Sequence, residues 1–392
     1  MLHILYLVHD LAEPAVRRRV LMLQAGGSRV TLAGFRRGDN PLAAVEGVTP
    51  LDLGATRDGK FAQRLKAVGH AAFSLAATLR GVSRPDVIVA RNLEMLALAN
   101  RASTLFGGDV PIVYECLDIH RLLLRGDAVG KTLRHAERRL GRKARLLITS
   151  SPAFIENYFL PYGQIDTPVL LLENKVLTLG QKMHRPARPA EPPQPGMPWK
   201  IGWFGALRCR RSLELLAQFS RRMEGRFEIV LRGRPAYTEF ADFDSFVAAE
   251  PFMDFHGPYR NPEDLADIYG QVHFSWAIDF FEAGLNSSWL LPNRLYEGCR
   301  HGAVPIAMRD VETGRLLARH AMGALLSEPS ADALVSLIGG ISADAYRGLS
   351  RSVTAEDPKN WICDEDDCRA LVARLAALAG GPRQAAPIQV AA

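Results

Sequence analysis

The segment Leu291-Pro-Asn-Arg-Leu-Tyr-Glu297 carries the densest set of chemically useful side chains in the 392-residue chain. A proline suits the first turn of a helix, where its missing N–H costs nothing. A helix N-terminus here presents free N–H groups, with Asn293 and Arg294 beside them, to an anion such as a diphosphate. One turn later, the Glu297 carboxylate can accept two hydrogen bonds from the vicinal hydroxyls of a ribose. A plain helix with an exposed glutamate would read the same way.

Other residues of this half fit the same ligand chemistry. Gly205 follows an apolar run and lets backbone N–H groups approach a phosphate. Arg208, Arg210 and Arg211 come next, and guanidinium forks neutralise diphosphates bidentately. Arg232 closes a second apolar run, and His256-Gly-Pro-Tyr259 follows a third, which puts Tyr259 near a base ring. Turn glycines and surface charges remain open as alternatives.

The first half offers proton-transfer groups. His9 and Asp10 follow the first apolar run, Asn92 and Glu94 another, and Asp118 and His120 a third. Asp118 is placed to act as a general base, with His120 orienting or replacing it; His9, Asp10 and Glu94 read as acceptor-side contacts. Asp and His also cap helices, so capping stays open for each. No His-Glu-x-x-His motif and no Cys/His cluster points to a metal. The stretch Asp364-Glu-Asp-Asp367 reads as favourable charge at a helix start. The five cysteines are scattered and read as free thiols of a reducing compartment.

The elements that position these residues follow from periodicity. His3–Val8, Arg29–Ala33, Asp86–Ala90, Pro111–Glu115, Arg145–Thr149 and Pro168–Leu172 are buried-strand candidates, and Glu13–Gln24 is a helix. Met183–Pro198 holds six prolines and little apolar material, which marks a linker. Beyond it the pattern restarts with strands at Lys200–Phe204, Phe227–Leu231, Met253–Gly257, His273–Ala277, Ala303–Ala307 and Ala324–Ser327. Helices alternate with them at Leu213–Met223, Glu263–Tyr269 and Leu295–His301. The expectation is an α/β chain of two Rossmann-like doubly wound domains facing across a cleft. The N-terminal, acceptor-binding domain spans 1–178, a Pro-rich linker 179–198 and the donor domain 199–355. A last helical segment, 356–380, crosses back towards the first domain, and 381–392 is a disordered tail.

Charge and hydropathy narrow the partners. Residues 1–178 hold 24 Lys/Arg against 16 Asp/Glu, and Arg121–Arg145 alone holds nine against two. Such a stretch attracts anionic lipid or phosphorylated substrates, or is merely a solvated face. It lacks the aromatic interleaving of single-strand binders, so nucleic acid is not an expected partner. Leu2–Val8 is too short for a secretory or membrane-spanning segment and runs straight into His9-Asp10.

These residues carry a family resemblance. IGWFGAL (201–207) resembles the strand-to-glycine-loop start of the donor domain of GT-B glycosyltransferases, and NRLYEGCRHGAVPIA (293–307) resembles their donor segment. ILYLVHDLAEPAVRRRVLML, YECLDIH and LPNRLYEG are similar to the enzymes of succinoglycan-type bacterial exopolysaccharide biosynthesis. The resemblance implies a sugar donor activated as a nucleoside diphosphate, probed first as a UDP-sugar. It implies a polyprenyl-diphosphate-linked saccharide as acceptor, with the enzyme cytoplasmic and peripheral on the inner membrane. Trp289 stands eight positions before Glu297, where retaining members often have a second acid, so the resemblance leaves the stereochemistry open, with inversion favoured. With no metal motif in the sequence, the expected transfer is metal-independent and needs no cofactor beyond the donor. A nucleotide-sugar epimerase and a non-catalytic binding protein on the same fold are the alternatives.

Overall fold

Two stretches of the chain build parallel sheets from apolar strands of three to nine residues separated by longer connecting segments. The computed structural model describes residues 1–37, 44–56, 61–180 and 189–380. Part of the expected linker (181–188) and the whole expected tail lie outside the described residues.

The chain divides into two units. Unit 1 comprises Met1–Glu173, Leu177–Met183 and Cys363–Ala392; unit 2 comprises Asn174–Val176 and His184–Ile362. In unit 1 the strands are β1 (His3–Val8), β2 (Arg29–Arg37), β3 (Leu51–Thr56), β4 (Val87–Arg91), β5 (Ile112–Glu115), β6 (Ala144–Thr149) and β7 (Val169–Leu171). They lie in the order β3-β2-β1-β4-β5-β6-β7, all parallel. β1 and β4 are buried along their whole length, which is why they read as unbroken apolar runs. Helices Phe61–Thr78, Asn92–Leu105 and Ala128–Gly141 pack side by side on one face. Helix Pro14–Ala25 packs instead against Glu365–Ala379, the last helix.

That last helix starts cleanly. Asp364 accepts hydrogen bonds from the N–H groups of Asp366 (2.9 Å) and Asp367 (3.2 Å), and the Asp367 carboxylate accepts from Asp364 N–H (2.9 Å). The acidic cluster is therefore a capping box. Cys368, Leu371, Val372 and Leu375 then join Ile4, Tyr6, Val16, Val20 and Leu23 in one core. Gly26 permits the approach: a Cβ there would lie 2.3 Å from the Cys368 carbonyl oxygen.

After a short strand β8 (Val176–Leu177), unit 2 holds β9 (Trp199–Leu207), β10 (Phe227–Pro235), β11 (Met253–Phe255), β12 (Phe274–Trp276), β13 (Val304–Met308) and β14 (Ala324–Leu326). Their order is β11-β10-β9-β12-β13-β14, again parallel throughout. The second half of the proline-rich segment is held down on this unit. The Ala190 carbonyl accepts from the Tyr346 hydroxyl (2.9 Å), and the Glu191 carbonyl lies 3.0 Å from His273 Nε2.

Candidate functional site

In each sheet the strand order reverses once, between β1 and β4 in unit 1 and between β9 and β12 in unit 2. At such a switch point the flanking loops diverge and leave a crevice at the carboxyl ends of the strands, the usual ligand position in this architecture.

In unit 2 the crevice has a backbone floor. Gly205 on β9 has φ 102° and sits in register with Gly233 on β10, which has φ 133°. A Cβ on Gly233 would fall 1.9 Å from the Gly205 carbonyl oxygen, so the two backbones can run this close only without side chains. Gly233 N–H in turn donates to the Gly257 carbonyl at 2.9 Å. A Cβ built on Gly205 would lie 3.8 Å from the Tyr259 hydroxyl, which places that phenol over the floor. Burial, helped by the Glu297 carboxylate, pushes the Tyr259 phenol well above its ordinary pKa.

Charge gathers across the switch point. Arg208, just after β9, bonds the Asp279 carboxylate beyond β12 at 3.1 Å, and Arg294 lies 3.9 Å from the same oxygen. Arg294 also donates to the Ile278 carbonyl at 2.8 Å, while its buried Nε has no partner among the described residues. Burial acts to raise the Asp279 carboxyl, but Arg294 and Arg208 outweigh it and hold the group below the usual carboxylate range. Two guanidiniums on one carboxylate leave a net positive centre. Arg294 belongs to helix Asn293–Arg300, whose N-cap residue, Pro292, makes no side-chain capping bond; Asn293 is exposed at its first position. Glu297 is buried one turn in, accepting from Asn261 Nδ2 (2.8 Å) and from the Tyr269 hydroxyl (3.0 Å).

Beside this centre a cavity of about 190 Å³ opens among Asp279, Ser287, Ser288, Asp310, Thr313 and Arg211. The Arg211 guanidinium lies 4.8 Å from the centre of the Phe280 ring, and that of Arg208 4.9 Å from Phe281. Arg210 is turned away, paired with Glu214 on the surface at 2.6 Å. Arg232 is half-buried beside Gly233 and adds a weaker pull on Asp264, the carboxylate that Arg260 bonds.

In unit 1 the contact across the switch point is made by His9, after β1, and Asn92, after β4: the Asn92 amide nitrogen lies 3.2 Å from His9 Nδ1. His9 Nε2 is 3.8 Å from Glu13, which Arg91 grips with two bonds of 2.9 Å. Burial lowers the His9 pKa, with Glu13 opposing, so the ring is neutral at pH 7. Beneath it, Glu115 takes bonds from the Tyr6 hydroxyl (2.6 Å), Arg19 (2.6 Å) and Arg91 (3.0 Å) with no exposure at all. Burial alone would raise this carboxyl; Arg19 and Arg91 bring it down to about 2.

Of the sequence-derived residues here, Glu94 pairs with Arg64 at 3.1 Å and acts on both His9 and His120. Asp118 and His120 are exposed in the loop after β5, and Glu94 affects the His120 ring more than Asp118 does. Asp10 turns to Arg37 (2.8 Å) and to the Ala12 N–H (3.0 Å). Sequence reasoning missed Arg91, Glu115, Glu13, Asn261 and Tyr269. A charged residue ending an apolar strand, as Arg91 and Glu115 do, was the available signal; nothing local marked Tyr269. Among the described residues no group of three or more His, Cys, Asp or Glu is placed to hold a metal.

Two doubly wound parallel units, with polar groups gathered at each switch point, define the GT-B class of two-domain glycosyltransferases. Residues 12–167 match the model of the glycosyl transferase 4-like domain. Over 389 residues the chain is 62% identical to the succinoglycan biosynthesis protein ExoL of Rhizobium meliloti (strain 1021), covering 99% of this chain and 96% of that one. The chain belongs to the ExoL family of GT-B glycosyltransferases. Solved structures share the fold at low identity. Sucrose-phosphate synthase from Thermosynechococcus elongatus superposes with TM-score 0.71 at 13% identity, covering 96% of this chain and 98% of that one. Anabaena Alr3699/HepE, solved in complex with UDP and glucose, gives 0.66 at 13%, covering 96% and 100%.

Proposed function

We propose that the chain transfers a sugar from a UDP-sugar to a polyprenyl-diphosphate-linked oligosaccharide during exopolysaccharide assembly, at the cytoplasmic face of the inner membrane. The observation that carries this reading is the cationic centre of unit 2, where Arg208 and Arg294 converge on Asp279 beside the N-terminus of helix Asn293–Arg300. That centre supplies the positive charge a leaving diphosphate needs, so the transfer requires neither a metal nor a further cofactor. Gly205 and Asn293 offer backbone N–H groups to the phosphates, Arg232 lines the approach, Tyr259 faces the base, and Glu297 holds the ribose. On the acceptor side, His9, Asp10 and Glu94 contact the incoming sugar. Asp118, with His120, takes the hydroxyl proton in an inverting displacement. Two similarities support the reading: the ExoL relative is named for succinoglycan biosynthesis, and HepE was also solved with UDP-glucose.

Thermal-shift and calorimetric titration with a panel of nucleotide-sugars tests it. One UDP-sugar is expected to stabilise the protein selectively, with Arg208→Ala and Glu297→Gln each weakening it about tenfold or more. Asp118→Asn should lower turnover while leaving donor affinity unchanged. Release of an epimer from the UDP-sugar alone would overturn the transferase reading.

A further inference from the structure

The three helices on one face of unit 1 present an unusual surface. Phe73, on helix Phe61–Thr78, is 93% exposed. Its helical neighbours at i−4, i+3 and i+4 are Gly69, Ala76 and Ala77, all exposed and too small to shield a ring. Val129 and Leu105, on the adjoining helices, are 46% and 37% exposed. The exposed charges on the helices themselves are of one sign, and the exposed acids flanking them, Asp109 and Asp127, are paired with Arg84 and Arg125. Lys66, Arg101, Lys131, Arg138 and Arg139 are exposed.

The acids of the three helices are withdrawn. Helix Phe61–Thr78 contains none; Asn92–Leu105 contains Glu94, paired with Arg64; Ala128–Gly141 contains Glu137. Glu137 has no exposure and accepts from Tyr114, Tyr158 and Gln164. The opposite layer differs, since its last helix exposes Asp366.

The basic run is not all surface charge either. Arg134 is buried, bonding the carbonyls of Leu123 and Arg125, and Arg138 donates to Tyr162 O and Gln164. The attraction therefore comes from the whole helical layer and not from Arg121–Arg145 alone.

We infer that this layer is the face with which the protein lies on an anionic lipid bilayer, Phe73 entering the acyl boundary and the cations meeting the headgroups. The inference rests on the membrane-surface reading proposed above and gives it a location. The excess of exposed cationic charge selects an anionic partner, and the uncovered phenylalanine on the same layer selects lipid over nucleic acid.

Co-sedimentation of the full chain with phosphatidylcholine vesicles, with and without phosphatidylglycerol, tests it. Binding is expected only to the anionic vesicles and to weaken in high salt. Phe73→Ser, and separately Lys66→Glu with Arg101→Glu, should lower the bound-to-free ratio about fivefold or more. All these side chains are exposed, and an unchanged UDP-sugar-induced thermal shift would confirm an intact unit 2. If the wild type binds anionic vesicles and the variants bind equally well, the face is wrong and the membrane reading stands. If the wild type binds neither vesicle, both fall, while donor recognition is untouched. Phe73-dependent self-association, or Phe73-dependent retention of single-stranded DNA without vesicle binding, would assign the face to another partner and overturn the proposal.

Discussion

Glu115 shows how much a single side chain can govern in unit 1. Its carboxylate balances Arg19 and Arg91, and Arg91 in turn fixes Glu13 next to His9. Removing it strands two buried guanidiniums of which only one retains a carboxylate. Glu115→Ala is therefore expected to cost about 3–5 kcal/mol, read as a shift in the urea midpoint with little change in slope. A loss below about 1 kcal/mol would mean that water reaches the two arginines. A lone acid closing the apolar run Ile112–Tyr114 was the one local signal for it, and the sequence reading passed over it. Its partners lie 24, 96 and 109 residues away, and no local pattern encodes them.

At the scale of elements, a neutral imidazole ties strand β9 to the proline-rich segment. His273 accepts at Nδ1 from the Lys200 N–H (2.9 Å), which leaves Nε2–H to donate to the Glu191 carbonyl. Burial brings its pKa down to about 4, as it does for His301. A lowered folded pKa means that the unfolded chain takes up protons the folded chain refuses. Stability is thus complete above pH 6.5 and falls as pH drops towards 4, by at most about 3 kcal/mol for each ring. Chemical denaturation of wild type and His273→Gln across that range should show a shallower decline in the variant. Parallel curves would show that His273 is protonated without penalty.

The same scale shows what the sequence could reveal. Strands such as β1, β4 and β9 were legible because both faces of a covered parallel sheet are apolar. β3, with Asp52 exposed and Gly54 half-exposed on an edge, and the polar helices Glu312–Arg319 and Ala343–Thr354 carry no such run and were not read. For the site, residues at strand ends were legible from position alone. The pairings across the switch points, His9 with Asn92 and Arg208 with Asp279, join residues 83 and 71 positions apart and depend on strand order.

For the whole molecule, the decisive feature is that unit 1 is discontinuous. Its core is closed by Cys368, Leu371, Val372 and Leu375, which come after all of unit 2. A chain ended after Ile362 should lose more than about 5 kcal/mol from unit 1 alone. Hydrogen exchange would show amides of β1 and β2 unprotected and those of β9 and β10 unchanged; equal protection in both would refute the assignment of the last helix to unit 1. The arrangement also sets a schedule for synthesis. Strands β1–β7 leave the ribosome early, yet the groove beside Val16, Val20 and Leu23 stays open while residues 184–362 are translated, roughly ten to forty seconds. During that interval the nascent first half is an incomplete fold with an apolar groove uncovered, a natural client for a holdase, and its maturation is post-translational in all but name.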